Sequence, residues 1–499
     1  MTAVEAPPTS STTLRAPEAA SVSAPKLAPM TAVERAAIDA STRGPVLFYL
    51  GNAVLWLIAA TVFGFITSVQ LHSPEFLADI PWLTYGRLVP AYNNIISYGW
   101  ASLAGIGVAI WLMARLCRVQ IKYGSVLIAG GIVWQVGLTF GIINIMAGRS
   151  SGIEWLEIPF SSAALMLVGY AFVGLWGVLL WGLRKQTSAY ISVWYLLGAF
   201  VWFPWVFATA HITKTMPQMQ GVVQNIIATW ASQSFFSVWI TAIGLATAYY
   251  LIPKVINRPV FSYNVATIGF AAFIIFAGLT GATRLSGGPV PAWLVTLSIA
   301  ANIMLLVQIV TVGVNLVATM RDRLHMVYHS PTIRFTFFGV VCFLVGSVLG
   351  LLGSLRSFDR VLHFTQFTTA QTQLTLFLFF SMVIYGAIYY ILPRLVGCEW
   401  LSSTMITLHF YGAAYGGGMM VAMLLLGGAA SGLSFVDPAA TFAQIIQIGQ
   451  VYLPGRSIAW VLFSIGNLVF ALHFALMLLR IGQPAGQATL FAPMEEENH

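Results

Sequence analysis

Charge is what this 499-residue sequence has least of: Asp, Glu, Lys and Arg make up 8% of it, against 58% hydrophobic side chains. No water-soluble core can hide that much apolar surface, so a soluble globular fold is excluded and the bilayer acts as solvent. Cysteine is equally scarce. Cys117, Cys342 and Cys398 are isolated, with no Cys-x-x-Cys spacing, which argues against a disulfide framework and a thiolate metal site. All fifteen carboxylates are expected in the tails or between the apolar runs, where Glu75, Asp79, Glu154, Glu157, Asp322, Asp359, Glu399 and Asp437 stand. A pump built on carboxylates inside the membrane is therefore disfavoured, because such groups are costly and mark the ion path. The eight histidines contain no His-His or His-x-His pair. His325 and His329 have i, i+4 spacing but sit in a basic loop beside Arg321 and Arg323, and His409 and His473 read as hydrogen-bonded histidines within spans.

What the sequence has instead is a series of apolar runs, each near the roughly 20 residues that cross a bilayer. Twelve are expected, at about 45–69, 90–115, 123–147, 157–183, 189–212, 224–252, 262–282, 292–318, 333–355, 367–392, 402–428 and 457–480. This predicts an all-α polytopic membrane domain over 44–482, with a disordered tail at 1–43 rich in Ala, Pro, Ser and Thr, and a short tail at 483–499. Long connections are expected at 70–89 and 429–456, the latter a candidate docking surface.

The net charge of +8 follows topology rather than forming a nucleic-acid-binding patch. With the N-terminus inside, 16 of the 23 basic residues fall in cytoplasmic segments, among them Arg115, Arg118, Lys254, Arg258, Arg321 and Arg394. Arg87, Arg149, Lys214, Arg284, Arg356, Arg360 and Arg456 fall on the opposite side. The positive-inside rule thus expects both termini in the cytoplasm.

Five stretches carry a resemblance: Tyr85-Gly-Arg-Leu-Val-Pro90, Tyr249-Tyr-Leu-Ile-Pro-Lys254, Asn257-Arg-Pro-Val-Phe-Ser-Tyr263, His363-Phe-Thr365 and Tyr389-Tyr-Ile-Leu-Pro-Arg-Leu395. In this order and at these intervals they resemble subunit I of the cbb-type, C-family cytochrome c oxidases of the haem-copper superfamily, from about residue 83 onward. The resemblance implies a twelve-span subunit I-like bundle in a bacterial inner membrane. It also implies two b-type haems, one copper and partner subunits such as membrane-anchored cytochromes c.

Carried over position by position, the family's ligand sites hold other residues. The low-spin haem histidine of the second span falls at Tyr92, and the first copper histidine, twenty residues before Pro253, at Gln233. The copper His-His pair falls at Thr283 and Arg284, the crosslinked tyrosine at Ala277, and the His-x-His that binds both haems at Gln371 and Gln373. Neighbouring small residues have become large: Ser-Gly-Ala-Leu-Gly reads Leu374-Thr-Leu-Phe-Leu378, and Asn-Ala-Val-Gly reads Ser234-Phe-Phe-Ser237. Phe235, Leu374 and Phe377 are expected to fill the space, since empty volume costs about 24 cal/mol per Å³. No haem or copper is expected, and Arg284 is expected to hydrogen-bond with Gln233, Gln371 and Gln373. Three functions stay open: a non-catalytic scaffold subunit of a respiratory or electron-transfer complex, an active terminal oxidase or nitric oxide reductase relative with unrecognised ligands, and a transport or channel role. Bound haem separates the first two.

Overall fold

The computed structural model describes residues 30–186 and 188–482, so most of the expected N-terminal tail and the C-terminal tail lie outside the described residues. Twelve helices are long and apolar enough to cross a membrane: spans 1 to 12 are Ala32–Gln70, Tyr85–Cys117, Gly124–Met146, Phe160–Gly182, Ile191–Lys214, Val222–Val255, Tyr263–Leu285, Ala292–Thr319, Pro331–Ser354, Phe367–Val396, Ser403–Val436 and Phe442–Leu478. No β-strand forms among the described residues.

Several boundaries differ from expectation, and span 2, which begins at Tyr85 rather than 90, shortens the connection expected at 70–89. Span 1 begins at Ala32, so residues 32–43 are helix rather than tail. Thr31 caps it, its hydroxyl accepting from the Glu34 amide at 3.1 Å. The two carboxylates of this stretch are partnered: Glu34 pairs with Arg118 at 2.7 Å, and Asp39 pairs with Arg115 at 3.1 Å while accepting from Trp111 Nε1 at 3.0 Å. The expected connection at 429–456 is also mostly helix, because span 11 continues to Val436 and span 12 begins at Phe442. Small residues allow this. A side chain at Gly432 would stand 1.9 Å from the Val361 carbonyl oxygen, and one at Gly428 2.6 Å from the Phe367 amide, so the extended helix lies backbone-to-backbone against the segment before span 10.

Spans 2, 6 and 10 form the centre. In their most apolar stretches 100%, 89% and 94% of residues are buried, against 28–56% in the other nine, which turn residues such as Leu55, Leu179, Ile275 and Leu472 outward. At one end the three central spans repeat a spacing: Trp111 and Arg115, Tyr250 and Lys254, Tyr390 and Arg394. The Trp111 ring lies 5.6 Å from Tyr250 and 6.0 Å from Tyr390.

Each central span also contains a π-helical stretch: Ile95–Ala101, Phe235–Ile240 and Leu374–Ser381. A widened turn leaves carbonyls without their usual partner, and in each span a hydroxyl donates to the carbonyl five residues back: Ser102 to Ser97 at 2.9 Å, Thr241 to Phe236 at 3.0 Å, Ser381 to Leu376 at 2.7 Å. Such stretches concentrate at functional sites. Here they follow Tyr92, Gln233 and Gln373 within three residues.

Candidate functional site

The positions assigned by resemblance gather between the central spans, in two adjoining cavities. The first, about 130 Å³, is lined by Gln233, Arg284, Gln308, Gln371, Thr372 and Thr375, with Phe236 and Phe379 at its walls. The second, about 300 Å³, is lined by Tyr92, Arg284, Thr372, Gln373, Trp155 and Arg456, with Glu154, Tyr85 and Gln366 also on its wall. Arg284 and Thr372 are common to both. Residues two apart on a helix point about 200° apart, which is why Gln371 faces one cavity and Gln373 the other.

Five of the six assigned ligand positions therefore line the pair of cavities. Thr283 lines neither, its hydroxyl turned back to the Thr280 carbonyl at 3.2 Å. Ala277 also lies in the packed core, where its carbonyl accepts from Ser237 and Thr280, each at 3.0 Å. The expected hydrogen-bonded cluster does not form: among the described residues no hydrogen bond joins Arg284 to Gln233, Gln371 or Gln373. Gln371 and Gln373 point into different cavities, so the three glutamines do not converge on one guanidinium.

The bulky residues fill the space only in part. Phe377 stands on the wall of the second cavity, packed 4.9 Å from Phe463 and 5.9 Å from Trp460. Phe235 instead stacks on Trp239 in a separate aromatic cluster, and Leu374 packs beside Gly346. Left dry, 300 Å³ would cost about 7 kcal/mol, comparable to the stability of a whole domain. A lining of amides, hydroxyls and guanidinia makes these cavities sites for water or a polar guest.

The polar groups around the second cavity are short of partners. Arg456 is 6% exposed, and its Nε and Nη1 are buried without a hydrogen bond, as are Trp155 Nε1, Gln366 Oε1 and Gln373 Oε1. Gln233 Oε1 in the first cavity is likewise unpartnered. Sequence reasoning placed Arg456 only by its side of the membrane. A signal was present, because Arg456 lies in the first turn of the helix Leu453–Leu478, where the macrodipole disfavours a cation. Trp155, Glu154 and Gln366 left no such signal, since they reach the cavity from connections whose path only the fold sets.

The histidines lie elsewhere. His409 Nδ1 meets the Tyr389 hydroxyl at 2.9 Å, His473 Nε2 accepts from the Ser402 amide at 3.4 Å, and His363 Nδ1 faces Asp359 at 3.0 Å. Among the described residues no three His, Cys, Asp or Glu side chains gather as a metal-binding group. Glu157, expected in a connection, does lie between spans 3 and 4 but is buried, where Asn94 Nδ2 donates to its carboxylate at 2.8 Å. Burial pushes its pKa up to about 7, partly opposed by the Asn94 hydrogen bond.

This chain is 24% identical over 438 residues to the Cbb3-type cytochrome c oxidase subunit CcoN1 of Stutzerimonas stutzeri, covering 84% of this chain and 91% of the relative. It is also 24% identical over 467 residues to a cytochrome c oxidase subunit 1 homolog of Agrobacterium tumefaciens, covering 88% and 84%. In fold it is similar to a chain of a heme-copper terminal oxidase dimer solved by cryo-electron microscopy, with a TM-score of 0.70 at 12% identity over 91% of this chain and 87% of that one. The family described as Cytochrome C and Quinol oxidase polypeptide I matches residues 44–462, and the chain belongs to it: a membrane protein with the twelve-span subunit I fold of the haem-copper oxidases.

Proposed function

We propose that this chain is a non-catalytic subunit I relative that keeps the family's bundle as a membrane scaffold for partner subunits of a respiratory or electron-transfer assembly. The observation that carries the reading is the lining of the two cavities at the centre of spans 2, 6 and 10. At the positions that the resemblance assigns to the family's iron and copper histidines stand Tyr92, Gln233, Arg284, Gln371 and Gln373, all of them on the cavity walls. These residues do not fit the metals. Amide oxygens are weak ligands, a guanidinium has no free lone pair, and a neutral phenol beside the edge-on Trp460 ring is a poor donor to haem iron. Partners follow from the family context: other membrane subunits, with membrane-anchored cytochromes c the class that subunit I relatives would seat.

Haem and copper content test the reading. The purified protein is expected to be colourless, without stoichiometric haem or copper and without oxygen consumption when reduced cytochrome c is supplied. A Soret band equivalent to one or two haems per chain would overturn it and restore the active-oxidase reading. The proposed orientation has both termini in the cytoplasm, on the end that carries the Glu34–Arg118 and Asp39–Arg115 pairs and the Arg258 contact with the Arg321 carbonyl.

A further inference from the structure

Spans 2 and 6 end, and spans 5 and 7 begin, on the side of the bundle that carries Met30. Between them lies an open groove of about 420 Å³ that shares no lining residue with the two central cavities. Its polar groups are Lys254, Arg258, Tyr190, Tyr250 and Tyr263. The rest of its wall, from Leu116, Val260 and two prolines, is apolar, and no carboxylate among the described residues lines it.

Both cations are unneutralised. Among the described residues neither forms an ion pair, and Lys254 is exposed and makes no hydrogen bond. Arg258 donates Nη1 to the Arg321 carbonyl at 2.8 Å and leaves its other N–H groups unused. The charges of Arg35, Arg115 and Arg394 also act on Lys254, while Asp39, the carboxylate of that cluster, is taken up by Arg115 and Trp111. Tyr250 stands one turn before Lys254 on the same helical face, its ring against Trp111 and its hydroxyl without a hydrogen bond. An ammonium, a guanidinium and a phenol are thus free to donate, which is complementary to an oxyanion.

On its membrane side the groove continues into aromatic rings. Trp194 lies one turn beyond Tyr190 and Phe270 two turns beyond Tyr263, with ring centroids 6.4 Å apart, and Trp194 is 43% exposed. Trp181 packs 5.9 Å from Trp194 and carries Arg184 over its face at 3.9 Å. Exposed rings of this kind sit at the level of the lipid headgroups, and basic pockets between helix ends bind anionic ones. An oxyanion seated beside such rings is one whose carbon chains enter the hydrocarbon.

We propose that this groove binds the headgroup of an anionic phospholipid, its phosphate on Lys254 and Arg258 and its acyl chains against Trp194 and Phe270. The site goes beyond the scaffold reading and is independent of what the central cavities hold. A bound lipid links the ends of spans 2 and 6 to the starts of spans 5 and 7.

Equilibrium binding of radiolabelled dioleoylphosphatidylglycerol to the full-length protein in a neutral detergent tests this. Saturable binding is expected, displaced by the unlabelled lipid but not at the same concentrations by dioleoylphosphatidylcholine, whose headgroup has no net charge, or by inorganic phosphate, which has no chains. Replacing both cations, Lys254→Gln with Arg258→Gln, should weaken binding about tenfold or more. Lys122→Gln removes an exposed charge on the same side that lines no part of the groove, and should leave binding unchanged. Absence of saturable binding, equal displacement by the phosphatidylcholine, or unchanged affinity in the double variant would overturn the proposal. An equal loss in Lys122→Gln would also overturn it, by reducing the effect to net charge, and displacement by phosphate would assign the groove to a free anion instead. If the double variant does not fold, the comparison of the two lipids and phosphate on the unaltered protein decides alone.

Discussion

Glu157 and Arg456 show how much a single residue's setting changes its chemistry. Both read as charges at the ends of spans, and both are buried. For Glu157 the consequence is a pH dependence with a definite sign. Its folded pKa of about 7 lies above the ordinary 4.5, so the native state holds this proton more tightly than the unfolded chain. The stability that this proton contributes is present below pH 4.5, falls as pH rises toward 7 and levels off above. The span of that loss is on the order of 3 kcal/mol, from the size of the shift. Glu157→Gln keeps an acceptor for Asn94 and removes the titration. The apparent Tm of the wild type in neutral detergent should therefore drop between pH 5 and pH 8 relative to that of Glu157→Gln. Parallel Tm curves for the two proteins would rule the assignment out.

Among the elements, span 11 depends most on close approach. Its extension to Val436 requires that nothing larger than hydrogen stand at Gly432, against the Val361 carbonyl. Gly432→Ala must push two backbones apart, an overpacking cost on the order of 1–3 kcal/mol or more. Gly51, inside span 1, meets nothing within 4 Å, so Gly51→Ala should be neutral or stabilising by about 0.5–1 kcal/mol. Thermal unfolding of the two variants side by side is expected to lower the Tm of Gly432→Ala and to leave that of Gly51→Ala unchanged or raised. Equal, small shifts would show that span 11 tolerates separation from the segment before span 10. The π-helical stretches make a related point: hydrophobicity marked their spans, but a widened turn depends on which carbonyls neighbouring helices leave unpaired, and no local pattern in Phe235–Ile240 announces it.

At the scale of the whole molecule, twelve crossings place Met30 and Gly482 on one side and the Asp437–Thr441 connection on the other. With the proposed orientation, a cysteine introduced at Ala439 should react with an impermeant maleimide on intact spheroplasts, while one introduced at Gly482 should react only after the membrane is opened. The reverse pattern would invert the bundle. The spans also divide the work between them, since 2, 6 and 10 hold the cavities while the outer nine present an apolar surface to lipid.

Apolar runs of bilayer length alone determined the number of spans, because a helix in hydrocarbon must carry its hydrophobicity in its own sequence. The ordered stretches around Pro90, Pro253 and Pro393 determined the family, and counting from them placed Tyr92, Gln233, Arg284, Gln371 and Gln373 beside one another in the fold. Only the tertiary structure decided that these residues divide between two cavities, that Thr283 turns away, and that no direct hydrogen bond ties Arg284 to the glutamines. It alone brought Arg456, Trp155 and Gln366 to the same wall from three distant parts of the chain. The reason is physical: hydropathy is a property of a segment, whereas a cavity and its unpaired charge are made by helices meeting, and which faces meet depends on packing that no single segment contains.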